Sequence, residues 1–349
     1  MLNFIFGLFS HDLAIDLGTS NTLVFVKGKG IAVREPSVVA RHKKSKKILA
    51  VGREAKKMLG KTPLQIEAFR PLKDGVIADF DATEAMLRHY INILHEKPNS
   101  FIPSVPRPKV VVGIPSGVTE VERRAVQDAA LSAGARLAYL IEEPMAAALG
   151  ANLPIENPSG SMIVDIGGGT TEIAVISLGG IVINKSLRIA GDEFDESIAH
   201  YLRLKHSLLI GLPTAEAAKI AIGSAYPVTS DKHQVVRGRD LENGLPKSVK
   251  ISGSEIREAM SPVLNQIIEI IDETVEEIPP ELIGDVLEQG ITLAGGGALI
   301  AGIDRAIADS IKMPVWIADE PLTCVVRGAA KLLENPSLLN KLRVSGGLK

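Results

Sequence analysis

SMIVDIGGGTTEIAVIS, residues 161–177, is the stretch whose reading decides the fold. An apolar run (Met162, Ile163, Val164) reaches Asp165; Gly167, Gly168 and Gly169 follow, then Thr170, Thr171 and a second β-rich run. The pattern predicts two antiparallel strands joined by a tight glycine turn, because glycine adopts φ > 0 without steric cost. Residues lacking a Cβ also let backbone N–H groups approach a ligand, and a ring of such donors cradles phosphate oxygens. Asp165, at the strand end, is placed to hold Mg²⁺ through water, since that ion keeps most of its hydration shell. A plain hairpin carries the same glycines, so this turn alone does not decide the matter.

The chain writes the same phrase a second time. HDLAIDLGTSNTLVFVK, residues 11–27, again runs strand, Asp16, Gly18, polar residues Thr19, Ser20 and Asn21, then strand. The two aspartates stand about half the chain apart, which predicts two related lobes, each bringing one phosphate hairpin to a shared cleft. A third cluster, GITLAGGGALIAG at 290–302, places Gly295, Gly296, Gly297, Ala298 and Leu299 after another short strand. Its glycines can lie against a flat base that larger side chains would push away. It lacks the spacing of a dinucleotide fold, and no full Gly-x-x-x-x-Gly-Lys-Ser/Thr phosphate loop occurs anywhere, which disfavours both of those nucleotide folds.

Bulk properties narrow the class. A chain of 349 residues can bury a large core in two lobes. Hydrophobic content of 46% with only 4% aromatics points to aliphatic α/β packing, and a net charge of −2 carries no nucleic-acid signature. A single cysteine, Cys324, excludes an internal disulfide framework and fits a reducing cytosol. No apolar run reaches the roughly 18 residues that a membrane span needs. The first ten residues, MLNFIFGLFS, are nevertheless crowded with Leu2, Phe4, Ile5, Phe6, Leu8 and Phe9. They lack a basic region and a small-residue cleavage site. An interfacial anchor is the favoured reading and burial in the core the other.

Between these landmarks the pattern alternates strands and helices. A small excursion begins near Glu35, with strands at 37–40 and 48–51, a basic tip (Lys43, Lys44, Lys46, Lys47) and a helix at 53–59. A packed helix follows at 79–95 and a proline-rich loop at 97–108. That loop displays Phe101 and Ile102, read either as a second membrane contact or as buried. Val110 to Ile114 is apolar throughout, as in a strand covered on both faces. Thr119 and Glu122 have the spacing of a capping box. A strand at 137–141 ends in Glu142 and Glu143, two carboxylates between the phosphate hairpins, one of which can orient an attacking water. In GDEFDE, Asp192 and Asp195 read as first-turn helix acids. Glu216 and Lys219 read from spacing alone as a surface pair. Residues 226–246 read as polar turns, 252–277 as a long amphipathic helix, and 320–333 as a helix crossing back to the first lobe.

These blocks resemble the actin, sugar-kinase and heat-shock-chaperone ATPase superfamily. DLGTSNTLVFVKGKGI, RPLKDGVIADF, LIEEPMAAALGANLP and GSMIVDIGGGTTEIAVIS look closest to the MreB family of bacterial actins, over about residues 12–334. The resemblance implies an α/β, actin-like two-lobed ATPase fold of duplicated ribonuclease-H-like lobes with four subdomains. The implied boundaries are a membrane-binding segment at 1–10; lobe I at 11–152, with a small subdomain at about 34–77 and 320–349 returning to it; and lobe II at 153–319, with a small subdomain at about 182–248. It implies Mg²⁺-ATP bound between the lobes, with Asp16 and Asp165 on the metal and Glu143, Asp165 and Thr170 catalytic. Glu142 stays open as the alternative to Glu143. Glu216, Ala217, Ala218 and Lys219 are implied near the nucleoside. It further implies slow ATP hydrolysis coupled to paired filaments on the inner face of the cell membrane, partnered by elongation-machinery membrane proteins that organise lateral wall synthesis in rod-shaped cells. The phosphate-binding lysine of eukaryotic actin is not found in the first hairpin, where Asn21 and Thr22 stand near its place. A small-molecule kinase or a non-polymerising ATPase of the same superfamily is the rival reading.

Overall fold

A computed structural model describes residues 10–95 and 107–344. Leu2, Phe4, Ile5, Phe6, Leu8, Phe9, Phe101 and Ile102 lie outside them. In the first lobe, β1 (Leu13–Leu17) and β2 (Asn21–Val26) form an antiparallel hairpin that β3 (Gly30–Pro36) extends. An outer excursion carries β4 (Val39–His42), β5 (Ile48–Val51), α1 (Arg53–Lys56) and β6 (Ile66–Phe69), followed by the ribbon β7 (Leu72–Lys73) and β8 (Val76–Ile77). Then come α2 (Phe80–His95), β9 (Lys109–Ile114), α3 (Glu120–Ser132), β10 (Leu137–Glu142) and α4 (Glu143–Gly150). The sheet order is β10-β9-β1-β2-β3, with β9 parallel to both neighbours.

The second lobe repeats this plan. It holds β11 (Ser161–Ile166), β12 (Thr171–Ser177), β13 (Gly180–Leu187), α5 (Gly191–His206), β14 (Leu208–Leu209), α6 (Leu212–Ile222), β15 (His233–Asp240) and β16 (Pro246–Ser252). After these come α7 (Gly253–Glu276), α8 (Pro280–Gln289), β17 (Ile291–Ala294), α9 (Ile303–Ile311) and β18 (Val315–Ile317). The sheet order is β13-β12-β11-β17-β18, again an antiparallel three-strand unit beside two parallel strands. Even the irregularity is shared: the register shifts at Val24/Phe25 in one lobe and at Val175/Ile176 in the other. Each lobe also carries a three-stranded outer sheet, β5-β4-β6 and β14-β15-β16.

Side chains of a strand alternate between faces, so each central sheet serves two cores. Leu13 and Ile15 pack with Met86, Leu87 and Val126 beneath α2 and α3, while Ala14 faces the middle of the molecule. In lobe II, Met162, Val164 and Ile166 join the core built on α5, α6 and α7, while Ile163 faces the middle. That middle layer is α4 together with the returning helix α10 (Cys324–Glu334), which α11 (Pro336–Leu342) follows. The two helices cross with backbones touching. A Cβ on Gly150 would fall inside the Cys324 carbonyl, and one on Gly328 inside that of Ala146.

Several local expectations hold. Thr119 and Glu122 form the capping box of α3, and Ser252 with Glu255 forms another at α7. Ile256, Met260, Val263, Leu264, Ile267 and Ile271 on α7 are buried in the lobe II core. Others need correction. The helix expected at 53–59 is only Arg53–Lys56, because the chain turns out through Gly60 at φ 70. The strand expected at 37–40 begins later, since Ser37 turns inward and its Oγ donates to the Gly18 carbonyl at 2.6 Å. The stretch expected as turns at 226–246 contains β15, whose exposed positions are polar but for Val235 and whose only buried apolar side chain is Val236. Strand β13, partly inside the range expected for the second small subdomain, pairs with β12 in the central sheet.

Candidate functional site

The two hairpins meet tip to tip over a cavity of about 590 Å³. Asp16, Gly18, Thr19, Ser20 and Asn21 line it from lobe I, and Asp165, Gly167, Gly168, Gly169 and Thr170 from lobe II. The glycines serve a different purpose from the one expected. None of Gly18, Gly167, Gly168 and Gly169 has positive φ. What they provide is room. A Cβ on Gly168 would collide with the Ser20 side chain, and one on Gly169 would lie 2.8 Å from Thr19 Oγ1 and 3.0 Å from the Asp74 backbone nitrogen. Thr19 Oγ1 in turn accepts from the Gly75 N–H at 3.1 Å, tying the tip to the β7–β8 turn.

The third cluster is the one that uses glycine's dihedral freedom. Gly295 has φ 80, and a Cβ there would strike the Asp165 carboxylate and the Ile166 carbonyl. Gly295, Gly296, Gly297 and Leu299 line the cavity; Ala298 does not, being fully buried in the lobe II core. On α6 the helical period separates the four expected residues. Glu216 and Lys219 line the cavity with Ile220 and Gly223, whereas Ala218 turns into the core and Ala217 out to solvent. Nor are Glu216 and Lys219 partners of each other. Glu216 pairs with Lys56 of lobe I at 2.8 Å, and Lys219 with Asp195 at 2.8 Å. Asp192 pairs across the cleft with Arg70. The first turn of α5 is capped by Glu193, which accepts from the Ala190 N–H at 2.7 Å, so the expected capping role of Asp192 and Asp195 passes to it.

At the floor stands a group of carboxylates. Strand β10 ends at Glu142 and α4 begins at Glu143, so the two adjacent acids diverge: Glu143 lines the cavity and Glu142 does not. Burial lifts Asp16 to about 7. Burial, then the charges of Asp16 and Glu172, lifts Asp165 to about 8. Glu143 is raised well above the carboxylate range by burial and by Asp16, Glu172 and Asp165. The charges of these groups raise one another, so a bound cation would be strongly favoured. Among the described residues no three or more His, Cys, Asp or Glu converge into a metal cage. Two carboxylates on facing hairpins at one cavity fit the chemistry of Mg²⁺, which takes one or two carboxylates and completes its shell with water and phosphate oxygens.

Sequence reasoning missed Glu172. It lies on β12 directly opposite Asp165 in the register and is 1% exposed. Burial lifts it to about 7, against hydrogen bonds from Ser186 and Ser116. Its signal was available: a lone charge in the β-rich run TEIAVIS, which the structure buries at every position.

The family model for MreB/Mbl protein matches residues 10–341. The chain belongs to the MreB/Mbl family. It is 52% identical over 332 residues to the cell shape-determining protein MreB of Escherichia coli K12, covering 94% of each chain. The crystal structure of MreB5 of Spiroplasma citri bound to ADP superposes with a TM-score of 0.88 at 40% identity, covering 95% of this chain and 98% of that one. A MamK double helical filament superposes at 0.78 with 25% identity, covering 93% and 99%. The two lobes expected from the hairpins, and the actin-like fold implied by the resemblance, are therefore the fold of this MreB/Mbl chain. No helix among the described residues is long and apolar enough to cross a membrane.

Proposed function

We propose that this MreB/Mbl chain is a cytoskeletal ATPase that binds Mg²⁺-ATP between its lobes, assembles into membrane-associated filaments and organises lateral wall synthesis in rod-shaped cells. The observation that carries the reading is the apposition of the two hairpin tips above Asp16, Asp165 and Glu143. A triphosphate placed there would be held by backbone N–H groups of both lobes at once. The ADP-bound relative and the filament-forming relative support nucleotide binding and self-assembly respectively.

Asp16 and Asp165 would hold the metal, whose chemistry is to neutralise charge on the phosphates. Glu143 would orient the attacking water, with Thr170 beside it, the positioning role that dominates phosphoryl transfer. Glu216 and Lys219 would face the nucleoside, and Gly296 with Leu299 its base. Loss of the γ-phosphate removes contacts to both lobes, so hydrolysis would bias lobe closure by differential binding. Head-to-tail contacts between such subunits do not close, and filaments result. Residues 1–9 and Phe101-Ile102 would bind the inner face of the membrane, where elongation-machinery membrane proteins are the partners.

The test combines electron microscopy of the chain with Mg²⁺-ATP on an anionic lipid monolayer and an assay of phosphate release. Paired filaments lying on lipid are expected, with Glu143→Ala lowering turnover by roughly 10²-fold while nucleotide still binds. Steady turnover by monomers only, at all concentrations and on all lipids, would replace the filament reading with a kinase-type one.

A further inference from the structure

We propose that Glu172 is a positioning residue for hydrolysis: its carboxylate fastens the Pro115-Ser116-Gly117 loop of lobe I to the hairpin of lobe II, and thereby sets where Glu143 stands. The proposal rests on the ATPase reading above, and goes beyond it by assigning a role to a buried group outside the cavity wall.

Glu172 bridges three elements. Its Oε2 accepts from the Ser116 backbone N–H at 3.2 Å, and its Oε1 from the Ser186 hydroxyl at 2.6 Å. Ser186 is its cross-strand partner on β13, so that half of the bridge lies within lobe II. Ser116 belongs to lobe I, just past the end of β9. The bridge therefore spans the lobes.

The loop it grips is packed against the β7–β8 turn at Pro115 and against β13 at Gly117. A Cβ on Gly75 would lie 2.7 Å from the Pro115 ring and 2.9 Å from Thr170 Cγ2, and one on Gly117 would lie 3.2 Å from Ser186 Cβ. Strand β9 pairs with β10 in a register that sets Ile114 opposite Glu142, one residue before Glu143. A shift of Ser116 is thus transmitted through one strand pair to the first residue of α4. Packed interiors pass on such displacements because they have no slack. A misplacement of about 1 Å at a reacting group can cost on the order of 10²-fold in rate.

Geometry also selects the conservative replacement. Glutamine keeps an acceptor for the Ser116 N–H and adds a donor, whereas alanine leaves that buried N–H without a partner. The proposal predicts that Glu172→Ala lowers kcat roughly tenfold to a hundredfold while nucleotide affinity stays within about twofold, and that Glu172→Gln recovers most of the loss. Ser186→Ala, which removes one bond of the bridge and little volume, should fall between them.

Hydrogen exchange supplies a readout that needs no turnover. The Ser116 amide of the nucleotide-free chain should exchange faster in Glu172→Ala and at the native rate in Glu172→Gln. Unchanged Ser116 exchange in Glu172→Ala overturns the bridge itself. Faster exchange with unchanged kcat overturns its role in positioning. Nucleotide binding without turnover by the native chain overturns the proposed hydrolysis, and with it the positioning role, while the exchange result still decides whether the bridge exists.

Discussion

The two hairpins have the same strands, the same register and the same aspartate, yet opposite tips. The lobe I tip is Gly18-Thr19-Ser20, which carries side chains at its last two positions; the equivalent lobe II tip is Gly167-Gly168-Gly169, bare. They are complementary, because Thr19 and Ser20 occupy the space that a Cβ at Gly169 and Gly168 would need. A duplicated unit facing itself cannot present two bulky tips or two bare ones without a clash or a gap. The difference teaches that the glycine run is set by a partner half a chain away, not by the conformation of its own turn.

The sharpest way to break this comparison is Gly168→Ala. Its methyl would meet Ser20, push the tips apart and spoil a cradle made by both, so nucleotide affinity should fall by about 10- to 100-fold. Ser20→Gly alone should be mild. Placed together, the two substitutions should recover affinity, with a coupling of about 1 kcal/mol or more in a double-mutant cycle. Additive losses would mean that Gly168 is needed for its own dihedral after all.

The carboxylates behind the tips sharpen the comparison next. Asp16 and Asp165 occupy equivalent positions, and their folded values of about 7 and about 8 both lie above the ordinary aspartate value of 3.8. A raised folded value means that the native chain holds protons the unfolded chain has released. The stability so contributed is complete below about pH 4 and is lost as pH rises to about 8. Chelator-treated, nucleotide-free protein should therefore lose stability between pH 5 and pH 8, by on the order of a few kcal/mol in denaturant titrations. Mg²⁺ with nucleotide should flatten that slope. Asp16→Asn should remove only part of it, since Asp165, Glu143 and Glu172 are raised as well, and a slope untouched by both would place the titrating groups elsewhere.

Much of this was legible from the residues. Alternating and continuous apolar runs marked the central strands, and the repeated strand–Asp–turn–strand phrase marked the duplication. The place of Glu142 and Glu143 between the hairpins marked the pair, but only the family resemblance favoured Glu143, the one that lines the cavity. What was hidden had two physical causes. Weakly buried elements such as β15 carry little apolar pattern, since polar residues fill most of their exposed positions. Pairings across the cleft leave no local trace: Asp192 reads as a helix-cap acid until Arg70 is seen against it, and Glu216 as a surface charge until Lys56 is. The same holds for Glu172, whose partner Ser116 comes from the other lobe.

That last class supports the smallest prediction, at the outer rims of the same cleft. The hairpin tips join the lobes by shape, while Lys56 and Glu216 join them by charge, at 2.8 Å and with side chains 34% and 20% exposed. Partial exposure limits such a pair to about 0.5–1 kcal/mol. If it holds the small outer sheets together over a bound nucleotide, Lys56→Met should raise the nucleotide dissociation rate about two- to threefold in stopped-flow displacement. Charge also predicts how the effect fades. Added salt screens the native pair, so the two dissociation rates should converge well above physiological ionic strength. A difference that survives high salt would assign Lys56 a packing role, and the rims would then be joined as the tips are.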